Sequence, residues 1–529
     1  MRKRRKTGHW HDGRVSTEVS AQSPVAGAQA ATLVRQISLL YFAAIAFAIG
    51  LHLLLADSFD LRVASAGVIL AAGCAVDLRA ERTAPYAFGL PGLKDGPPAP
   101  SKVPSRVYPL VSAVMVAAFV ALQAVNLSAA TSLALAAVAL IAWAIASDSV
   151  LRRVRQAHKV ARALREYAPT IGIGFAGRSG GPWQLRMWEP YLLRSGERCV
   201  IFNLNEQYLS MIREGGGLDS PIVQIGSHAR RDLASLLVRS LKALFYVQNA
   251  QRNAVFLAKT RITHVWLNHG DSDKPANYNP RHALYDRVVV CGQAGIDRYG
   301  MHGVNIPAEK FDILGRPQAA GVTRARVPIS EVDVKVVMYA PTWHGVDPSA
   351  NFSSLSLACE IVQGLIDRGC TVIFRPHPLS ERWRIRREII QDVQQILQAD
   401  SDASGRPHVW GERAEKTWSV VECANHADAL ISDVSSVVSD FLQSGKPYAM
   451  VSMHAPAAEF RAEFSVAETG YVVLKGLLNF DEVLDDLLDA DPLAHMRAAR
   501  KRYVLGDFAG EESADAFAEY VRGLVGHTS

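Results

Sequence analysis

Residues 429–452 read ALISDVSSVVSDFLQSGKPYAMVS, and this segment indicates the class of fold. An apolar run over 429–432 leads into the polar turn SDVSS, and a helical pattern over 437–444 follows. The dipeptide Lys446-Pro447 ends that helix, and a second apolar run begins at residue 448. A strand, a helix and a second strand in this order are typical of a parallel β-α-β unit.

The same alternation extends outward over most of the chain, from about residue 170. Strands are predicted at 170–176, 198–204, 221–226, 263–268, 287–292, 311–314, 334–340, 371–375, 408–410, 429–432 and 448–452. Helices are predicted at 232–246, 354–368, 381–399, 417–425 and 437–444. Alternation of this kind predicts parallel sheets with helices on both faces. The stretch is too long for one such sheet, so we predict two Rossmann-type domains, over 167–325 and 326–529.

The N-terminal region has a different character, because its charge is strongly basic and its apolar runs are long. Residues 1–165 hold 19 Lys and Arg against 8 Asp and Glu, whereas the rest of the chain holds 38 against 43. Uncharged stretches cover 36–56 and 107–147, and a shorter apolar stretch covers 63–76. A membrane span takes about 20 apolar residues. We therefore predict an all-α anchor of about four transmembrane helices over 31–149, with 63–76 either a short span or a re-entrant or interfacial segment.

Lys and Arg flank the predicted spans mainly on one side, since the two opposite loops are short and nearly free of them, which predicts that both termini are cytoplasmic. The predicted localisation is therefore the plasma membrane, as a multi-pass protein with a cytoplasmic catalytic domain. Residues 1–30 are predicted to be a disordered basic segment. Residues 150–166 are predicted to be a basic helix, either among lipid headgroups or as a solvated linker.

Composition and spacing exclude several classes of protein. The six cysteines form no C-x-x-C pair, which argues against a disulfide framework and a zinc knuckle. The basic excess lies outside the predicted domains, which argues against nucleic-acid binding. A G-x-G-x-x-G match at 172–177 lies inside a predicted strand, and no acidic residue ends the next strand, so no dinucleotide site is predicted. The following loop, 177–181, could still face a ligand.

Two motifs follow predicted strands of the two domains, where α/β folds bind ligands. In LNHGDSDKP, residues 267–275, His269 could take a proton from a hydroxyl nucleophile or could only hydrogen-bond its own loop. In YAPTWHG, residues 339–345, Thr342 could hydrogen-bond a ligand. Trp343 could pack on a base or support the loop.

Two further motifs carry groups that suit a phosphate. In IFRPHP, residues 373–378, two prolines hold Arg375 and His377 in an extended segment; the alternative is a salt bridge with a capping histidine. The turn of the opening segment, SDVSS, stands at a helix start, where N–H groups and hydroxyls bind anions, although serine and aspartate are also ordinary N-caps. Its polar residues are Asp433, Ser435 and Ser436.

The four motifs in this order resemble the CDP-glycerol glycerophosphotransferase family, the teichoic-acid primases and polymerases of Gram-positive bacteria. That family's segments W-H-G-T-P-x-K, Y-A-P-T-W, R-x-H-P and T-D-Y-S-S with a downstream K-P correspond here to NHGDSDKP, YAPTWHG, FRPHP and SDVSS with Lys446-Pro447. The segment ILGRP, residues 313–317, resembles the family's G-x-P-R. The resemblance covers about 260–450 and implies a GT-B fold, with an acceptor domain over 167–325 and a CDP-donor domain over 326–529.

Members of that family transfer an alcohol phosphate from a CDP-alcohol to an acceptor hydroxyl and release CMP. The resemblance implies that His269 is the base and that His377 and Arg375 steady the pyrophosphate and the charge of the transition state. The other substrate-binding candidates that it implies are Asp433, Ser435, Ser436, Thr342, Gly315, Arg316, Lys274 and Gly270. The implied partners are a CDP-alcohol, a lipid-linked or cell-wall polymer acceptor and membrane lipids.

Two other functions remain open at this point. One is a GT-B glycosyltransferase that uses a nucleotide sugar for cell-envelope glycan synthesis, since it could use the same histidine and helix start. The other is a non-enzymatic membrane scaffold. No cofactor is firmly implied and no metal site is predicted; an acidic residue near the pyrophosphate could bind Mg²⁺, but no spacing requires it.

Overall fold

The computed structural model describes residues 83–98, 114, 117, 151–177, 182–227, 229–259, 261–268, 270, 272–344, 351–382 and 384–526. The chain divides into two units, one of residues 1–83 and 98–156 and one of residues 84–97 and 157–529. In the first unit few residues are described, and of these 114, 117 and 151–156 are helical. Both β-sheets belong to the second unit.

The first sheet has eight strands in the order β1-β4-β3-β2-β5-β6-β7-β8, all parallel except β1, which is antiparallel to β4. Its strands are β1 Tyr86–Phe88, β2 Ile171–Phe175, β3 Cys199–Asn203, β4 Ile222–Gln224, β5 Ala243–Tyr246, β6 Thr263–Trp266, β7 Arg287–Val290 and β8 Phe311–Ile313. From β4 to β8 the order is that of a doubly wound Rossmann sheet. It reverses between β2 and β5, and a reversal of this kind is where such sheets bind ligands.

The second sheet has five parallel strands in the order β10-β9-β11-β12-β13. They are β9 Val336–Ala340, β10 Thr371–Phe374, β11 Ala429–Ser432, β12 Tyr448–Ser452 and β13 Tyr471–Leu474. This order is also doubly wound and reverses between β9 and β11. Each sheet therefore has one ligand-binding crevice that its topology predicts.

Helices cover the sheets and account for the apolar runs in the strands. They are α1 151–167, α2 Pro182–Leu193, α3 Leu209–Glu214, α4 Ala229–Leu236, α5 Ala254–Leu257, α6 Gln293–Met301, α7 Ala358–Asp367, α8 Arg384–Ser404, α9 Val420–His426, α10 Ser436–Leu442, α11 Ala457–Glu463, α12 Phe480–Asp485, α13 Ala494–Leu505 and α14 Glu512–Val525. Successive residues of one strand enter different clusters: Met338 packs in one apolar core and Val337 and Tyr339 in another. Because side chains alternate along a strand, each sheet is buried on both faces.

The last helix returns from the second sheet to the first. Phe517 of α14 lies 5.1 Å from Trp188 of α2, measured between ring centroids, and also contacts Phe245 of β5. Phe517 and Val521 are fully buried in the core of the first sheet. The end of the chain therefore ties the two sheets together by apolar burial.

The membrane part of the predicted fold class has to be corrected. No helix among the described residues is both long and apolar enough to cross a membrane. The longest of them, α8, has 21 residues but carries charged side chains along its length. The predicted segment 1–30 and the four predicted spans lie outside the described residues, apart from Val114 and Ala117. The predicted localisation as a multi-pass plasma-membrane protein is therefore not supported.

A second correction concerns residues 84–97, which the predicted anchor includes. They belong to the unit that holds the sheets, where Tyr86–Phe88 forms the edge strand β1. Tyr86 is buried, and its hydroxyl donates to a carboxylate oxygen of Glu206 at 2.7 Å. Helix α1 also packs on the first sheet, because Val160 and Leu164 are buried in its core. The apolar side of the second half of this basic helix thus packs on protein, whereas Leu151 and Val154 in its first half are exposed.

Candidate active site

The candidate site lies at the carboxyl edge of the second sheet, where three neighbouring strands end. Thr342 follows β9, His377 follows β10 and Asp433 follows β11. Because β9 lies between β10 and β11 in a parallel sheet, the three residues emerge at the same edge. This edge is the reversal point of the second sheet.

Asp433 is the centre of this edge. Its carboxylate is fully buried and accepts hydrogen bonds from the backbone N–H of Thr342, 3.0 and 3.1 Å from its two oxygens. The backbone N–H and the hydroxyl of Ser354 each donate to Oδ2 at 2.9 Å. Burial raises the pKa of Asp433 to about 6, and these donors and the charge of Lys274 oppose that rise. The carboxylate therefore holds the segment that follows β9, at Thr342 and Ser354, against the end of β11.

Lys274 reaches this edge from the first sheet, on the loop of residues 267–280 that follows β6, here named the β6 loop. Its Nζ lies 3.4 Å from the hydroxyl oxygen of Thr342. Burial lowers the pKa of Lys274, while the negative charge of Asp433 raises it. A cation from one sheet thus stands beside a carboxylate and a hydroxyl of the other.

Gly270 of the β6 loop also lies close to Ser436, which follows β11 of the second sheet. A Cβ on Gly270 would lie 3.4 Å from both Cβ and Oγ of Ser436, the first residue of α10. Ser435 caps this helix, and its hydroxyl accepts a hydrogen bond from Val437 N at 3.4 Å. The predicted SDVSS motif therefore lies close to the predicted LNHGDSDKP motif.

His377 presents a neutral imidazole to this edge. The backbone N–H of Leu379 donates to its Nδ1 at 3.1 Å, so the neutral ring carries its proton on Nε2. Burial lowers the pKa of His377 from 6.5 to about 4, and the charge of Lys274 contributes to this lowering. At neutral pH the ring is a hydrogen-bond donor through Nε2 and not a cation.

His269, the predicted base, lies outside the described residues, but both residues that flank it are described. Asn268 has φ 63°, a left-handed conformation that asparagine tolerates better than most residues. The indole N–H of Trp188 donates to the carbonyl oxygen of Asn268 at 2.6 Å. The chain is thus held on the N-terminal side of His269, and Gly270 on the other side lies close to Ser436.

Asp273 joins the β6 loop to helix α6 by a buried ion pair and to the segment before β13 by a hydrogen bond. Arg298 Nε donates to Asp273 Oδ1 at 2.7 Å, and the two side chains are 4% and 7% exposed. The backbone N–H of Ser465 donates to Asp273 Oδ2 at 2.9 Å. Nothing in the local sequence indicates this contact, because Ser465 is 192 residues away. The β6 loop is therefore fixed at both ends of the predicted motif.

Other predicted substrate-binding residues make structural contacts. Arg375 donates through one guanidinium nitrogen to the carbonyl oxygens of Ala414 and Trp418, the latter at 2.9 Å. Arg316 is buried, and its Nε donates to Asp440 Oδ1 of α10 at 2.7 Å. Neither of these bonds reaches the edge where Asp433 and His377 lie.

Lys446 also makes structural contacts. It belongs to the dipeptide Lys446-Pro447 downstream of the SDVSS motif. Its ammonium group donates to the carbonyl oxygens of Ala424, at 3.0 Å, and Ala427, at 2.5 Å. These carbonyls end helix α9, where a cation is favourable.

Gly315 has both a left-handed φ of +72° and close neighbours. A Cβ there would lie 2.6 Å from the ring of Phe508 and 2.7 Å from Ser513, near the start of α14. Gly315→Ala should therefore lower the free energy of unfolding by about 2–4 kcal/mol, from backbone strain and overpacking together. Urea unfolding measures it.

Gly303→Ala is the matched control for this substitution. Gly303 has φ +70°, and a Cβ there would meet nothing within 4 Å. We expect this variant to lose only about 1 kcal/mol, the backbone component. Equal losses in the two variants would mean that the contact of Gly315 with Phe508 contributes nothing.

Among the described residues, no three His, Cys, Asp or Glu side chains are grouped to hold a metal ion.

One segment of the chain matches a known family. Residues 311–456 match the model of the family described as CDP-Glycerol:Poly(glycerophosphate) glycerophosphotransferase. This segment holds the motifs of Thr342, His377 and Asp433 and begins at β8. No curated protein matches the chain.

Two groups of solved structures are similar to the chain at low identity. A structure of the wall teichoic acid polymerase TagF has 14% identity and a TM-score of 0.43, covering 72% of this chain and 95% of that one. A UDP-GlcNAc 2-epimerase from Neisseria meningitidis, bound to UDP-GlcNAc, has 10% identity and a TM-score of 0.40, covering 68% and 100%. The match of residues 311–456 confirms the predicted resemblance to the CDP-glycerol glycerophosphotransferases and supports an enzyme of that type.

Proposed function

We propose that this enzyme moves a polyol-phosphate unit of the glycerol-phosphate type from a CDP-alcohol to a hydroxyl of a lipid-linked or cell-wall polymer, and releases CMP. The observation that carries the proposal is the meeting of Lys274, Thr342 and His377 beside Asp433 at the reversal point of the second sheet. A cation, a hydroxyl and a neutral N–H donor are together suited to a pyrophosphate. The family match over the same strand ends supports this assignment.

The reaction makes a specific demand on these groups. The acceptor oxygen attacks the phosphorus that carries the polyol, and the bond from this phosphorus to the bridging oxygen breaks, so that CMP leaves with that oxygen. Negative charge grows on the leaving CMP, where a cation and hydrogen-bond donors stabilise it. We assign this role to Lys274 and the Nε2–H of His377.

The acceptor proton needs a separate base. His377 is not suited, because its Nδ1 already accepts a hydrogen bond and its neutral ring holds a proton on Nε2. We assign the base to His269, between Asn268 and Gly270 on the β6 loop, and assign Ser435 and Ser436 to the phosphate opposite. We assign a positioning role to Arg375 and Arg316. They fix the segments after β10 and β8 through their hydrogen bonds to Trp418 and Asp440.

The test is nucleotide release by the purified full-length protein. Supplied with CDP-glycerol and a poly(glycerol phosphate) acceptor, it should release CMP and lengthen the polymer in equal amounts. A parallel reaction with UDP-glucose and UDP-N-acetylglucosamine should release no UDP. Release of UDP with no CMP would contradict the proposal and favour the glycosyltransferase.

Lys274→Met tests the role assigned to the cation in the same assay. Removal of one charged donor from the transition state should lower CMP release by about 10²-fold or more. Lys475→Met is a matched control, because Lys475 is exposed in a short turn after β13. Its rate should equal that of the unmodified enzyme, and a loss as large as that of Lys274→Met would contradict the assignment.

A further inference from the structure

A second crevice lies at the reversal point of the first sheet, between the ends of β2 and β5. The cavity there has a volume of about 890 Å³ with its open solvent space included, and three segments line it. Gly177 follows β2, Asn249 to Arg252 follow β5, and Asn279 and Arg281 lie on the segment after β6. Doubly wound sheets bind ligands at such a point.

The lining of this cavity is positive and polar. Arg252 and Arg281 are its charged residues, both exposed, and no carboxylate occurs among the described residues that line it. Within the described part of the chain, neither guanidinium makes a hydrogen bond or an ion pair with another side chain. The side chains of Asn249, Gln251 and Asn279 add amide groups. Two such guanidiniums facing one cavity suit an anion with several oxygens.

No side chain fits at Gly177, where the segment after β2 borders the cavity. Gly177 is the last glycine of the G-x-G-x-x-G match and has φ +73°. A Cβ there would lie 2.6 Å from Asn205 and 2.9 Å from Tyr208, so only glycine fits. Its backbone therefore borders the cavity without a side chain.

The cavity is attached to the β6 loop, which carries His269 and Lys274. Asn249 Nδ2 donates to the carbonyl oxygen of Ala276 at 2.8 Å. Asn249 Oδ1 also lies 2.7 Å from Nε2 of the fully buried His282. Since β5 and β6 are adjacent strands, a group in the cavity lies roughly 5–10 Å, one or two strand spacings, from the end of β6.

We propose that this cavity, here named the β2–β5 pocket, binds a phosphate group of the acceptor through Arg252 and Arg281. The inference rests on the proposed function and specifies its acceptor as an anionic molecule. The donor pyrophosphate is assigned to the other sheet, so the anion in the β2–β5 pocket belongs to the second substrate. The acceptor's terminal hydroxyl would then extend along the β6 loop toward His269.

Binding to the full-length protein, measured by calorimetry at low salt without any donor, tests this directly. The probes are a soluble glycerol-phosphate oligomer, a short-chain prenyl diphosphate and a neutral oligosaccharide. Arg252→Gln and Arg281→Gln should each weaken binding of a phosphate-bearing probe roughly tenfold, for loss of one exposed charge-assisted hydrogen bond. Arg198→Gln is the control, because Arg198 lies just before β3, at the opposite edge of the same sheet.

Each outcome decides the proposal. Arginine-dependent binding of the oligomer identifies the anion as a chain phosphodiester, and arginine-dependent binding of the diphosphate identifies it as a lipid-linked group. Unchanged binding in both variants, or equal binding of the neutral oligosaccharide, overturns the proposal. Absence of CMP release, with arginine-dependent binding retained, would instead overturn the proposed function and leave the anion site standing.

Kinetics give an independent readout in the active enzyme. Both variants should raise KM for the oligomeric acceptor roughly tenfold, while KM for CDP-glycerol and kcat at saturating acceptor stay as in the unmodified enzyme. A rise in KM for CDP-glycerol instead would place these arginines on the donor and overturn the assignment.

Discussion

Replacing His377 by alanine should slow CMP release from CDP-glycerol by about 10²- to 10³-fold, the usual effect of removing one preorganised donor from a developing charge. The physical reason is that Nε2–H is the donor of a neutral ring whose Nδ1 is occupied by Leu379 N. His377→Gln keeps an N–H donor at similar reach and should retain more activity than His377→Ala. Initial rates at saturating acceptor measure both.

The matched control for His377 is His426→Gln. His426 is exposed at the end of α9, and its ring stacks on Trp418 with centroids 4.2 Å apart. This variant should release CMP at the unmodified rate. Full activity in His377→Ala would contradict the role assigned to this histidine.

The same histidine should leave a signature in stability against pH. Its pKa in the folded chain, about 4, lies below the ordinary 6.5, so the unfolded chain binds a proton there first as the pH falls. Its contribution to stability is therefore present above pH 6.5 and is lost as the pH falls to 4. Relative to the unmodified enzyme, His377→Gln should gain up to about 2–3 kcal/mol between pH 7 and pH 4. Urea unfolding over this range measures it, and a constant difference would contradict the burial of the ring.

Asp433→Ala should lower the free energy of unfolding by about 3–5 kcal/mol, the range seen when one member of a buried charged group is removed. The reason is that Thr342 N–H, Ser354 N–H and the Ser354 hydroxyl lose their acceptor in a buried place. The partly buried ammonium of Lys274 also loses its nearby negative charge. Urea unfolding at pH 7 measures the loss, and CMP release should fall with it because Thr342 is no longer held.

Asp428→Ala is the control at the opposite end of the same strand. Asp428 precedes β11, is only half-buried, and accepts a hydrogen bond from Val336 N at 2.9 Å. Loss of such a bond should cost about 1 kcal/mol. If the two aspartate variants were destabilised equally, the bonds to Asp433 would not be the source of its effect.

Strand prediction from the sequence succeeded where an apolar run was bounded by clear turn residues. The run at 429–432 is observed as Ala429–Ser432 and the run at 448–452 as Tyr448–Ser452. Strand β5, Ala243–Tyr246, is wrongly predicted as the end of a helix over 232–246, because a run of four apolar residues suits either element. Strand β13, Tyr471–Leu474, is absent from the prediction.

Part of the candidate site could also be predicted from the sequence. Thr342, His377 and Asp433 each follow an apolar run bounded by turn residues, and this order alone predicts that they lie at the carboxyl ends of parallel strands. Ser354, which gives two hydrogen bonds to Asp433, was not predicted. It lies 79 residues from Asp433, and no pattern in the sequence joins the two.

The sequence by itself determined the alternation of strands and helices, the motifs at the strand ends and, through those motifs, the resemblance to a family. These properties depend on neighbouring residues and on their order along the chain. Only the tertiary structure decided the order β10-β9-β11, the approach of Lys274 to Thr342 and the return of α14 to the first sheet. Such contacts depend on which distant surfaces are buried together. For the same reason only the structure shows that the guanidinium of Arg375 donates to the carbonyl oxygen of Trp418.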